Sequence, residues 1–159
     1  EDDVKRVVFP TRDWSLWSLI DAVIDQKPSL ALAELANLLG TSTKVDEAAN
    51  RSILPMLTRQ IRMVWQARVC LDEGDRAPDV RPSTAALLPE KNIGQEKGFV
   101  ISKAFRQAGR LTLGQLSEAL QELAITDAQM KGALPSAGAR ESLETLILRL
   151  VEILGRRAA

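Results

Sequence analysis

The chain has 159 residues, 45% of them apolar, enough for one domain with a sizeable core. Lysine plus arginine and aspartate plus glutamate both number 21, so the net charge is zero and the basic excess of a dedicated nucleic-acid or acidic-membrane binder is absent. With no histidine and a single cysteine, Cys70, an internal disulfide, the usual zinc sites, most catalytic triads and pH switching near neutrality are excluded.

Leucine and alanine outnumber the β-branched residues, a composition that favours helices. No apolar run reaches membrane-spanning length and no signal peptide is evident, so a cytoplasmic setting is expected. The sequence opens on Glu1-Asp2-Asp3 without a methionine, as a piece of a longer protein would. Residues 1–10 read as a short helix ending before Pro10, with Val4, Val7 and Val8 on one side. Asp13 is placed to cap a helix over about 14–26 whose inward residues are Trp17, Ile20, Val23 and Ile24. Pro28 opens the next helix, about 28–39, striped by Leu32, Leu35, Ala36 and Leu39 and stopped by Gly40. So short a connection predicts a helical hairpin. Residues 41–50 form a polar connection.

The most apolar helix is expected over 52–73. Leu54, Leu57, Ile61, Val64, Trp65 and Leu71 recur at helical spacing, with Met56, Met63, Ala67 and Cys70 beside them. Its polar strip, Arg59, Arg62, Gln66 and Glu73, covers roughly one sixth of the circumference at about 100° per residue. A helix so widely apolar belongs in the middle of a fold. Pro55 fits its first turn and Gly74 its stop. Residues 74–97 are rich in Gly, Pro and charge and read as a long, mobile surface loop, with a helical turn available at 83–88.

A short helix over 99–108 carries Val100, Ile101, Ala104, Phe105 and Ala108. Then Thr112-Leu113-Gly114-Gln115 spells a capping box, with Leu111 and Leu116 in the staple positions. The helix it opens runs to about 131, with Leu113, Leu116, Leu120 and Leu123 in a row that Asp127 continues. Lys131 lies one turn beyond Asp127, which either ends the helix in solvent or anchors a neighbouring element. After a break at Pro135 and Gly138, residues 139–154 form a last helix striped by Leu143, Leu146, Ile147, Leu150, Ile153 and Leu154, with Arg156 and Arg157 suiting its negative end. The sum is an all-α, compact bundle of about six helices.

Catalytic chemistry fails on inventory. No phosphate-binding loop of the G-x-x-x-x-G-K-[S/T] type is present, and pairs such as Glu118 and Glu122 read as surface charge on one helix face. No catalytic, cofactor-binding or metal-binding residues are assigned. The pair of helices at 99–108 and 112–131 resembles a helix-turn-helix in outline, so a DNA-binding regulator is the alternative reading. However, no Lys or Arg occurs from Leu111 to Met130, where such a motif meets phosphates.

Four stretches together resemble the C-terminal part of the delta subunit of the bacterial DNA polymerase III clamp loader: Trp17-Ser18-Leu19-Ile20-Asp21-Ala22-Val23; Leu57-Thr58-Arg59-Gln60-Ile61-Arg62 within residues 54–74; Phe99-Val100-Ile101-Ser102-Lys103-Ala104 through Leu116; and Asp127-Ala128-Gln129-Met130-Lys131-Gly132 before the Leu-rich last helix. Their order over 13–154 carries the likeness, since each alone is a helix-packing pattern. The position of Gly132 directly after Lys131 and the lengths of 41–50 and 75–97 depart from the family pattern.

The resemblance implies a helical collar domain at 11–159, preceded at 1–10 by the end of a lid domain. It implies a non-catalytic module, within a subunit of the DNA-directed DNA polymerase III holoenzyme, that joins a five-subunit collar supporting sliding-clamp loading in DNA replication. Implied partners are the gamma/tau and delta-prime subunits through their C-terminal domains. The sliding clamp is implied as a partner only through an N-terminal domain absent from this sequence, with little or no direct DNA binding and no membrane. Arginine outnumbers lysine 14 to 7, and planar multidentate guanidinium groups favour interfaces. Arg59, Arg62, Gln66, Arg106 and Arg149 are the candidate contact residues. Trp17, Trp65, Thr112, Gln115, Asp127 and Lys131 are expected to be structural.

Overall fold

The computed structural model describes residues 12–40 and 44–157. The helix expected over 1–10 and the cap expected of the Asp13 side chain lie outside the described residues. The rest is all-α: α1 (Arg12–Ile24), α2 (Pro28–Gly40), α3 (Val45–Ala48), α4 (Leu54–Asp72), α5 (Pro82–Ala85), α6 (Gly98–Ala108), α7 (Leu113–Met130) and α8 (Ala139–Gly155). Six of these match the six helices expected within the described residues, and the additional α3 and α5 are single turns. Among the described residues there is no β-strand, only an isolated bridge between Arg76 and Asp79.

Helix α4 is the axis of the bundle. It packs against α1, α6 and α7, while α8 closes the far side against α7, α2 and α1. Leu57, Ile61, Val64, Ala67 and Cys70 on α4 are fully buried, and Leu54 and Met63 nearly so. Each large aliphatic side chain withdrawn from water in this way contributes about 1.5–3 kcal/mol. The whole stripe expected on α8 is buried, as are Leu116 and Leu123 of α7 and Ile101, Ala104, Phe105 and Ala108 of α6.

The start of the central helix differs from expectation. Backbone helicity begins at Val45 and passes into α4 through a π-helical turn, Ala49–Ile53, in which the Leu54 N–H reaches back to the Ala49 carbonyl. Pro55 follows at once. A proline inside a helix lacks an N–H and crowds the carbonyl four residues earlier, so the wider π turn is where the chain accommodates it. At the other end α4 stops as expected: Gly74 takes φ +86°, its N–H donates to the Leu71 carbonyl (3.0 Å), and that of Asp75 donates to the Cys70 carbonyl (2.9 Å). This is a Schellman closure around a left-handed residue. Helix α1 ends in the same pattern with a non-glycine, Gln26, at φ 60°.

Trp17 is not an inward residue of α1. It is 39% exposed, and Leu16, Leu19, Ile20, Val23 and Ile24 fill the core instead. At about 100° per residue, Trp17 falls at the edge of the arc centred between Leu16 and Ile20. There the Lys103 ammonium sits 5.5 Å from the ring centroid, within cation–π range.

The long segment after α4 has structure of its own, with the turn α5 overlapping the start of the stretch where a helical turn was expected. Leu88 and Ile93 enter the core, Thr84 is buried, and residues Ile93–Gln95 form a 3₁₀ turn capped by the Asn92 side chain on the Gly94 N–H (2.9 Å). Asp75, 4% exposed, is clasped by the Arg81 guanidinium, which also reaches the Glu73 carbonyl.

Candidate subunit interface

The sequence places Arg59, Arg62 and Gln66 on one strip of α4. The structure divides them. Gln66 is 4% exposed, and its Oε1 accepts the Ile93 N–H at 2.8 Å. It therefore faces inward as the peg that holds the 3₁₀ turn against α4. Pairing with a backbone donor removes the cost of burying either group, which unpaired is about 1–3 kcal/mol. Arg59 and Arg62 remain exposed. Arg59 donates to Glu96 Oε1 at 2.8 Å, linking the same turn from outside. Arg62 has no ion-pair partner among the described residues.

Between these arginines and the 91–96 segment lies an open groove of about 700 Å³, whose lining includes the apolar Leu54, Pro55, Met63 and Ile93 and the charged Lys91, Glu96 and Asp127. Asp127 is half-buried and takes Lys131 Nζ at 2.7 Å, so the pair expected one turn apart forms at the end of α7. The groove wall contributed by Lys91, Asn92 and Glu96 was missed by sequence reasoning. Its local signal is Asn92-Ile93-Gly94, where Asn as a cap two residues before glycine marks a turn, in contrast to a featureless loop.

Arg106 and Arg149 lie elsewhere. Arg106 is exposed near the end of α6. Arg149 pairs with Glu122 Oε2 of α7 at 3.2 Å. That pair belongs to a seam between α7 and α8. Arg156 meets Glu118 at 2.9 Å, and Gln115 Nε2 donates to the carbonyls of Ile153 (3.1 Å) and Arg156 (2.7 Å). The capping box is complete: the Gln115 N–H donates to Thr112 Oγ1 at 3.1 Å and the Thr112 N–H to Gln115 Oε1 at 3.0 Å. Gln115 thus closes the start of one helix and the end of another. Trp65, half-buried, donates from Nε1 to Ser117 Oγ at 3.3 Å and ties α4 to α7.

A polar chain runs from the buried interior of the bundle to its half-buried edge. Gln60 Nε2 of α4 donates to Gln107 Oε1 of α6 (3.2 Å), and Gln107 Nε2 donates to Asp21 Oδ1 of α1 (3.2 Å). Lys103 joins Asp21 at 2.9 Å. Two ionisable groups sit at the C-terminal end of α4. Burial, together with the nearby Asp75 carboxylate, pushes the Cys70 thiol up to about 11. For Asp75, desolvation acts upward, but hydrogen bonds from Arg81 and Thr84 and the Arg81 charge outweigh it and hold the carboxyl below its usual value. The Asp75–Arg81 pair ties down the chain that leaves α4. Among the described residues, no three Cys, Asp or Glu side chains gather where a metal ion would sit.

The arrangement is thus a bundle with cross-linked seams and an open, charged groove. The family model for the C-terminal domain of the DNA polymerase III delta subunit matches residues 14–150. The chain belongs to that family. Its structure is similar to that of the Bacillus subtilis DNA clamp loader delta protein, with a TM-score of 0.66 and 21% sequence identity. The likeness covers 95% of this chain and 40% of that one, so the chain spans well under half of the solved protein. No curated protein matches the sequence.

Proposed function

We propose that this delta C-terminal domain is the assembly module through which its subunit joins a clamp-loader collar. The observation that carries the reading is the family match over residues 14–150. The partners are the C-terminal domains of the gamma/tau and delta-prime subunits. The sliding clamp is reached only through other parts of the full subunit. The role is scaffolding, with no chemistry of its own, in a cytoplasmic machine that loads clamps during replication. Exposed arginines at the groove, beside a rigid core, suit protein contact.

The helix-turn-helix alternative finds no support. The first turns of α7, which would enter a DNA groove, hold Gln115, Glu118 and Glu122, all engaged with α8 or with Arg156 just past its end. Mixing this chain with the partner C-terminal domains from the same organism and measuring mass by gel filtration with light scattering tests the proposal. A heteromeric peak is expected, and separate elution of well-folded components overturns it.

A further inference from the structure

The groove beside α4 has an uneven charge balance. Three cations, Arg59, Arg62 and Lys91, and two carboxylates, Glu96 and Asp127, line it. Both carboxylates are already engaged, Glu96 by Arg59 and Asp127 by Lys131 from outside the lining. Arg62 and Lys91 are exposed and have no ion partner among the described residues. They line one groove together with Leu54, Pro55, Met63 and Ile93, Arg62 from α4 and Lys91 from the segment that Gln66 pegs in place. Two unanswered positive charges in a groove that also presents apolar side chains fit an occupant that combines carboxylates with an apolar side chain.

We infer that this groove is where the domain receives a neighbouring subunit, through a segment that presents Asp or Glu to Arg62 and Lys91 and an apolar side chain to the apolar lining. The inference rests on the assembly role proposed above and specifies the surface and the chemistry of its partner. The volume, about 700 Å³, accommodates a few side chains and falls within the range of formed binding clefts. A nucleic-acid strand suits it less: two unpaired cations offer few phosphate contacts, and no aromatic ring lines the groove for a base to stack on. Arg62 supplies a planar fork for a carboxylate and Lys91 a point charge.

The test uses the chain with its partner C-terminal domains. The double reversal Arg62→Glu with Lys91→Glu is compared with Arg140→Glu, which changes an exposed charge at the start of α8. Since Arg62 and Lys91 make no internal ion pair, the helical content and melting temperature of the double variant are expected to stay at the wild-type value. Its affinity for the partner is expected to fall at least about tenfold, with a shallower salt dependence, while Arg140→Glu binds as wild type. A photo-crosslinking residue at Thr58, on the groove wall, is expected to label a partner segment carrying Asp or Glu. If the wild-type chain binds its partners and the double reversal binds equally well, or the crosslink falls on a basic segment, the groove assignment is overturned and the assembly role stands. If the wild-type chain binds no partner, both fall. Loss of duplex binding with partner binding intact makes the groove a phosphate site and overturns the inference.

Discussion

At the scale of single residues, the two groups that hold the 74–97 segment act by different physics. Gln66 supplies a buried acceptor, so Gln66→Ala leaves the Ile93 N–H without a partner. The expected cost is about 1–3 kcal/mol in urea unfolding, with faster hydrogen exchange at the Ile93 amide than at amides of α8. Asp75 supplies a charge whose carboxyl titrates below its ordinary value in the fold. A group that binds its proton less readily when folded adds stability above the usual carboxylate range, near 3.9, and that stability is lost as pH falls through the folded value. Asp75→Asn is therefore expected to lower the melting temperature at pH 7 and to flatten its decline in acid, and an unchanged acid limb would refute the role given to this pair. The sequence displays neither function. Gln66 falls on the polar strip of α4 by spacing, and its inward turn depends on a partner 27 residues away. Trp17 shows the reverse error, since its in-phase position with Ile20 and Ile24 hides that it lies at the edge of the buried arc.

At the scale of elements, helix ends carry much of the specification. The capping box was legible because both partners lie within four residues, and local hydrogen bonding needs no tertiary information. That the same Gln115 closes the C-terminal turn of α8 was not legible, because those carbonyls come from 38 and 41 residues away. The two roles separate by mutation. Thr112→Ala is expected to cost about 1 kcal/mol. Gln115→Ala should cost more, and a double-mutant cycle should show the pair to be non-additive, since both changes break one box. Equal single-mutant costs would show that the α8 contacts contribute nothing. The end of α1 offers a gain: Gln26 holds a left-handed conformation at φ 60° that costs a side-chain-bearing residue roughly 1–2 kcal/mol. Gln26→Gly is expected to raise thermal stability by about 0.5–1 kcal/mol after the greater freedom of glycine in the unfolded chain is deducted.

At the scale of the whole molecule, the bundle was legible because its long helices write their burial in leucine and isoleucine at helical spacing, α8 most completely. What escaped was the course of the chain between α4 and α6, where prolines and charges obscure the burial of Leu88 and Ile93. With α4 as the shared wall of α1, α6 and α7, a cavity there should weaken the fold as one unit. Ile61→Ala is expected to cost about 2–5 kcal/mol and to keep a single unfolding transition by both fluorescence and circular dichroism. The same wall encloses Cys70, a thiol held protonated and out of reach of solvent. Because its modification requires α4 to open, the pace at which a thiol reagent consumes this one sulfur is a clock for how often the bundle comes apart. The clock also leaves the surface chemically blank: a cysteine introduced at a groove position such as Thr58 would react first and alone, so probes can be attached to the natural sequence without deleting its own sulfur.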